Sequence, residues 1–241
     1  MRGTHLKECF FPFLILILAQ MGCAPEQFIT SRDGVLLAYE YKQVQPEKGT
    51  AVLLHGLGSN RDEFYTLRVF LNKNGWSTLA FDFRGHGSSR TWLGKEIDWK
   101  NFSHEDFSTL SRDVEAAVER LEGRKNIWLI GSSIGANLAL HYAAQHPGVR
   151  GIVLLTPGYN YAGIDSLPSM EQYERRPVLI AASEDDPLAV DFCRALYEKA
   201  KGPKKFLPYK TAGHGAQMIE NEKGLKVEIR DWLNRNSIYH Q

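Results

Sequence analysis

The chain has 241 residues, 43 % of them hydrophobic, with 29 Lys and Arg set against 28 Asp and Glu. That length buries one sizeable core and suits a single α/β domain better than two. A net charge of +1 without a basic run leaves no field to hold nucleic acid, and three cysteines, Cys9, Cys23 and Cys193, give no disulfide framework.

The N-terminus reads as a targeting segment. Arg2 and Lys7 precede an apolar stretch over residues 10–19 that contains Pro12 and falls short of the roughly 20 residues needed to span a bilayer. Residues 1–22 are therefore expected to be a signal, residues 23–27 a tether and residues 28–236 the folded domain. Without the first 22 residues, 27 charges of each sign remain. The expected location is outside the cytoplasm, secreted or periplasmic if not anchored. Cys193 lies in a helical pattern and reads as a small buried hydrophobe.

Residues 28–30 and 35–41 flank Ser31-Arg32-Asp33-Gly34 and predict a hairpin at a sheet edge. Residues 51–54 form a short apolar strand that runs into His55-Gly56-Leu57-Gly58, and residues 61–72 follow with helical spacing. A strand over 77–81 ends in Asp82-Phe83-Arg84-Gly85-His86-Gly87-Ser88. Residues 89–108 show no period and form a long connection, and 110–121 are amphipathic.

The next strand, 127–130, meets a helix rich in small residues at Gly131-Ser132-Ser133-Ile134-Gly135. Such a string means little alone. With a strand before it and a helix after it, its glycines let the two backbones close around a strained central residue whose hydroxyl stands up at the strand's end. Ser133 is the glycine-flanked centre, and Ser132 is the weaker candidate. A strand over 151–155, an irregular segment over 156–176, a strand over 178–182, a helix over 189–200, a strand over 205–209 and a helix over 217–234 complete the chain. Strands alternating with helices in this way predict an α/β fold with a mostly parallel sheet covered on both faces.

In such a sheet the loops at the carboxyl ends of the strands gather at one edge, where ligands bind. A serine hydroxyl is a weak nucleophile at neutral pH, so Ser133 needs a base, and the base needs an acid to fix its tautomer. His214, in Ala212-Gly213-His214-Gly215 just past the last strand, is the candidate base. Asp186, beside Pro187 after the preceding strand, is the candidate acid. Asp185 adjoins it, an acidic cluster with Glu184 that caps the following helix is the plain reading, and Asp165 is a more distant option. His55 and His86 sit in glycine turns upstream of the serine, where packing and hydrogen bonding are the expected roles. The backbone N–H groups of Ile134 and Leu57 are placed to hold an oxyanion.

The strings HGLGS, FDFRGHGSS, GSSIGA, SEDDP and AGHG occur in the order and approximate spacing of the α/β-hydrolase superfamily, across residues 28–234. Within it the chain resembles the lysophospholipase-like and serine-aminopeptidase-like branch of small esterases. This resemblance implies a serine hydrolase with the triad Ser133, His214 and Asp186. Its expected substrates are carboxylic esters of the lysophospholipid or monoacylglycerol kind, cleaved through an acyl-enzyme without metal or organic cofactor. Trp92, Tyr159 and Leu188, with Leu57, Trp99 and Tyr161, are candidates to line an acyl site. The 156–176 connection is short where many relatives carry a large cap, which implies an open site with at most a small lid. Gln20-Met21-Gly22-Cys23 also resembles a bacterial lipoprotein signal, which implies acylation of Cys23 and membrane association. Acyl transfer to another acceptor, perhydrolysis on the same triad, and a non-catalytic surface protein of the same fold are the alternatives.

Overall fold

The computed structural model describes residues 26–161 and 163–237, so the expected signal and Cys23 lie outside the described residues. Among those described, no helix is long and apolar enough to cross a membrane.

The chain opens with the antiparallel pair β1 (Gln27–Thr30) and β2 (Val35–Lys42), as the turn signal predicts. Strand β3 (Gly49–Leu54) leads through the glycine turn to a 3-10 turn at Arg61–Phe64, capped by Asn60, and then to α1 (Tyr65–Lys73). Strand β4 (Trp76–Phe81) follows. The connection over 89–108, expected to be irregular, holds the two-residue strands β5 (Thr91–Trp92) and β6 (Lys95–Glu96) and the short helix α2 (His104–Ser108), which starts on a capping box between Ser103 and Asp106. Helix α3 (Leu110–Glu119) returns the chain to β7 (Ile127–Ser132) and α4 (Ile134–Gln145).

Beyond β8 (Val149–Leu155), the second segment expected to be irregular contains the hairpin β9 (Asn160–Tyr161) and β10 (Ile164–Asp165), then helix α5 (Ser166–Gln172). Pro168 is a residue that breaks helices in their interior. In the first turn of α5 it costs nothing, because an N–H there has no intrahelical partner. Strand β11 (Val178–Ser183), helix α6 (Pro187–Lys199) and strand β12 (Lys204–Tyr209) complete the crossovers. The final helix predicted over 217–234 is two, α7 (Gln217–Asn221) and α8 (Leu225–Asn236). It breaks because Glu222 leaves helical backbone for an extended conformation.

One sheet runs in the order β12-β11-β8-β7-β3-β4-β2-β5-β6, parallel from β12 to β4, with β2 and its neighbours antiparallel. Alternate strand residues feed two cores. Val52, Leu54 and Leu129 face a cluster with α3, α4, α5 and α6, while Ala51, Leu53 and Ile130 face one with α1, α7 and α8. Helix α4 is buried on nearly every side, which accounts for its apolar composition and for its place next to the central strand. Pro208 sits in β12, an edge strand, where a missing N–H is tolerated.

Candidate active site

Strands β3, β7, β8 and β11 end side by side, and the turns that follow them converge. The turn after β7 is the tightest. A Cβ on Gly131 would lie 2.5 Å from the Ala136 nitrogen, and one on Gly135 would lie 2.5 Å from the His55 carbonyl oxygen. Only glycine permits that approach. Ser133, between them, has φ 53° and ψ −119°, a conformation that costs a non-glycine residue of order 1–3 kcal/mol. Its N–H donates to the Leu155 carbonyl, and its own carbonyl accepts the N–H groups of Ala136 and Asn137. The Ile134 N–H, first in the helix, has no intrahelical acceptor and points with the helix N-terminus.

The Ser133 hydroxyl is 3.0 Å from the Tyr161 hydroxyl. Tyr161 arrives on the β9–β10 hairpin, and its ring lies so close to Gly158 that a Cβ there would meet it at 2.6 Å. Asn137 of α4 clamps Gly158 with two hydrogen bonds, Nδ2 to its carbonyl and its N–H to Oδ1, both at 2.9 Å. The hairpin therefore forms a small lid that meets the turn around Ser133, the elbow, through Tyr161.

The His214 Nδ1–H donates to Asp186 Oδ2 at 2.6 Å. The other oxygen of Asp186 accepts the Ala189 N–H at 3.3 Å, so the carboxylate caps α6 while it faces the imidazole. The neighbouring acid does something different: Asp185 accepts the Gly213 N–H at 3.2 Å. Asp165 caps α5 through the Leu167 N–H. The loop that carries His214 is bound to the elbow by the two amides that follow it. Gly215 N–H donates to Thr156 Oγ1 at 2.7 Å, and Ala216 N–H to Ser132 Oγ at 3.0 Å. Thr156, just past β8, holds φ 47°, a second strained residue beside Ser133.

Across the elbow, the turn bearing Leu57 is held from beneath. Gly56 N–H donates to Glu63 Oε2 at 2.6 Å, and Ser132 Oγ donates to Glu63 Oε1 at 3.0 Å. Burial raises the Glu63 carboxyl above its ordinary range, with the bonds from Gly56, Ser132 and Ser59 working against that rise. Sequence reading missed Glu63, Thr156 and the bridging role of Ser132; no pattern marks them, because each acts on residues far away in the chain.

The upstream histidines are structural, as their glycine turns imply. His55 donates from Nδ1 to the Gly56 carbonyl at 2.7 Å and accepts the Phe83 N–H at Nε2. His86 stacks on Trp99 with ring centroids 5.3 Å apart. Arg84, between them, forms a buried pair with Asp113 and also binds Asp33, tying its turn to α3 and to the first hairpin.

The candidate acyl-lining residues divide. Tyr159 packs edge-on against Phe192, and Leu188 lies one turn earlier on the same helix, both at the rim of the site. Trp92 does not join them. Its indole donates to the Asp33 carbonyl, and it lines a separate cavity of about 440 Å³ with Asp33, Arg84 and Phe102, because β5 pairs with the outer end of β2. Trp99 packs beside Gly58, behind the Leu57 turn. Cys193 is buried, and burial pushes its thiol well up, which leaves it inert.

Residues 51–175, just over half of the chain, match the family model for the α/β-hydrolase fold. The chain belongs to the α/β-hydrolase family. Among curated relatives of this hydrolase, an uncharacterised protein of Mycobacterium tuberculosis is 26 % identical over 238 aligned residues, covering 88 % of this chain and 80 % of that one. Among solved structures, an esterase from Pyrococcus furiosus superposes with a TM-score of 0.73 at 20 % identity, covering 89 % of this chain and 91 % of that one. A monoacylglycerol lipase from Paleococcus ferrophilus gives 0.68 at 19 % identity, with 83 % and 99 % covered. The fold is the one those enzymes share.

Proposed function

We propose that this hydrolase is an exported serine esterase that cleaves carboxylic esters through an acyl-enzyme, and that acylated Cys23 anchors it to a membrane. One observation carries the catalytic reading: the His214 Nδ1–H is fixed on Asp186 at 2.6 Å while the amides of Gly215 and Ala216 bind beside Ser133. This sets the tautomer that leaves Nε2 free as the base.

In the first step the Ser133 hydroxyl exchanges Tyr161 for the His214 Nε2, gives its proton to that nitrogen and bonds to the ester carbonyl carbon. Negative charge on the carbonyl oxygen is received by the Leu57 and Ile134 N–H groups, each of which is worth about 100-fold to 1000-fold in rate. Collapse expels the alcohol, which takes the proton back from His214. Water then repeats the sequence and frees the acid. Single-chain lipid esters of the monoacylglycerol or lysophospholipid type are the proposed substrates, a reading supported by the likeness to the monoacylglycerol lipase from Paleococcus ferrophilus.

A fluorophosphonate probe tests the chemistry. Wild-type protein is expected to be labelled and Ser133→Ala is not; absence of label on the wild type, or equal label on both, overturns the reading. A panel of aryl esters of increasing chain length then reads the acyl preference.

A further inference from the structure

The folded domain begins at the same edge of the sheet as the candidate active site. Glu26, the first described residue, pairs with Arg61 at 2.5 Å, and Arg61 binds Asp82, the residue that follows β4. Arg61 is four residues past Leu57. Cys23 is three residues before Glu26, so the extended chain between them reaches about 10 Å at most. The amino edge of the sheet lies about 20 Å away, at the other end of six-residue strands.

The two edges differ in what they show to solvent. At the carboxyl edge Leu57, Tyr159 and Leu188 stand exposed after β3, β8 and β11, bracketing Ser133, with Leu188 87 % accessible. The β5–β6 hairpin adds Leu93, 73 % accessible. It pairs with Val35, four residues beyond the Tyr39–Phe81 pairing that ends β4, and so stands past the same edge. At the amino edge a cleft is lined by Glu47, Lys48, Glu122, Arg124 and Lys125. Exposed apolar groups clustered at one end mark a contact surface, whereas single ones scattered over a surface do not.

We propose that the carboxyl edge is a lipid-docking face, held against the bilayer by the short tether and by Leu57, Leu93, Tyr159 and Leu188, so that Ser133 meets ester substrates resident in the bilayer. This rests on the anchored-esterase reading above and adds an orientation to it. A tether rooted at the amino edge would turn the site to water; here its root, Gln27, is level through Tyr39 with Phe81 at the carboxyl end of β4. Glu184 and Asp185 share this edge, so docking requires no anionic lipid, and zwitterionic vesicles suffice.

The test uses the full chain, purified from host membranes and reconstituted into phosphatidylcholine vesicles. An environment-sensitive fluorophore is placed at Leu188→Cys or, as a control at the amino edge, Glu122→Cys. Spin-labelled phosphatidylcholine is expected to quench the probe at 188 and not the one at 122. Equal quenching at both positions, or none at 188, overturns the proposal.

A second arm compares a fluorogenic monoacylglycerol dispersed in the vesicles with a water-soluble acetate ester. Leu93→Asn, which suits the left-handed backbone there (φ 49°), is expected to slow vesicle hydrolysis about threefold or more and to leave the soluble rate unchanged. An unchanged vesicle rate counts against docking. The soluble rate of the wild type tests the esterase chemistry separately, since quenching does not depend on turnover. The mass of the mature N-terminus reports the anchor, and unmodified Cys23 removes the basis for docking.

Discussion

Glu63 accepts the Ser132 hydroxyl at 3.0 Å, and through that bond one carboxylate joins three turns. Its other oxygen holds the Gly56 N–H, and Ser132 in turn holds the Ala216 N–H, so the Leu57 turn, the Ser133 turn and the His214 loop share one hub. Glu63→Ala leaves those donors without their acceptor, and the expected loss of stability is about 1–3 kcal/mol. Because the Leu57 turn is then free to drift, kcat/KM is expected to fall about 10- to 100-fold, mostly in kcat. Glu63→Gln keeps an acceptor for Gly56 and should recover part of that rate. Steady-state kinetics on a soluble ester and thermal melts of the three proteins check this; a loss confined to melting temperature refutes the positioning role.

The two adjacent aspartates make a direct comparison. Asp186 faces the imidazole, while Asp185 faces only a backbone amide of the same loop. Asp186→Asn is expected to lower kcat by about 10³- to 10⁴-fold, as losing the tautomer-fixing carboxylate does elsewhere. Asp185→Asn should cost less than about tenfold, as a weakened loop contact. A reversed ranking in initial rates moves the triad acid by one residue.

The Ser133 hydroxyl is held by the Tyr161 hydroxyl, a bond that the proposed mechanism exchanges for one to His214. Removing the phenol oxygen in Tyr161→Phe releases a hydrogen bond worth about 1 kcal/mol net, so fluorophosphonate inactivation is expected to speed up about fivefold. Slower inactivation indicates that the tyrosine helps the nucleophile and does not restrain it.

Acid stability follows from His55. Burial, helped by repulsion from His86 and opposed by the bond to Gly56, pulls its imidazole down to about 3. The unfolded chain titrates near 6.5, so between these values the unfolded state binds a proton that the fold refuses. The contribution is complete above pH 6.5 and is lost as the pH falls, at about 1.4 kcal/mol per unit, or about 2 kcal/mol from pH 7 to pH 5. His86, lowered chiefly by burial, acts in the same direction. Urea unfolding at the two pH values should show the loss in the wild type and a shallower one in His55→Asn.

The sequence by itself determined the crossover units, the glycine elbow around Ser133, the order serine, aspartate, histidine, and the structural role of the upstream histidines. Each of these is local: period, turn residues and strand ends are encoded within a few positions and fix φ, ψ and burial directly. Only the tertiary structure decided that Asp186 and not Asp185 meets His214, that Tyr161 reaches Ser133, that Glu63 binds the turns together, and that Trp92 belongs to a different cavity. It also decided that β1 starts level with the carboxyl ends of the strands, where Glu26 pairs with Arg61. These are contacts between residues about 20 to 90 positions apart. They depend on strand order and on which way adjoining turns lean, and neither leaves a periodic trace in the chain.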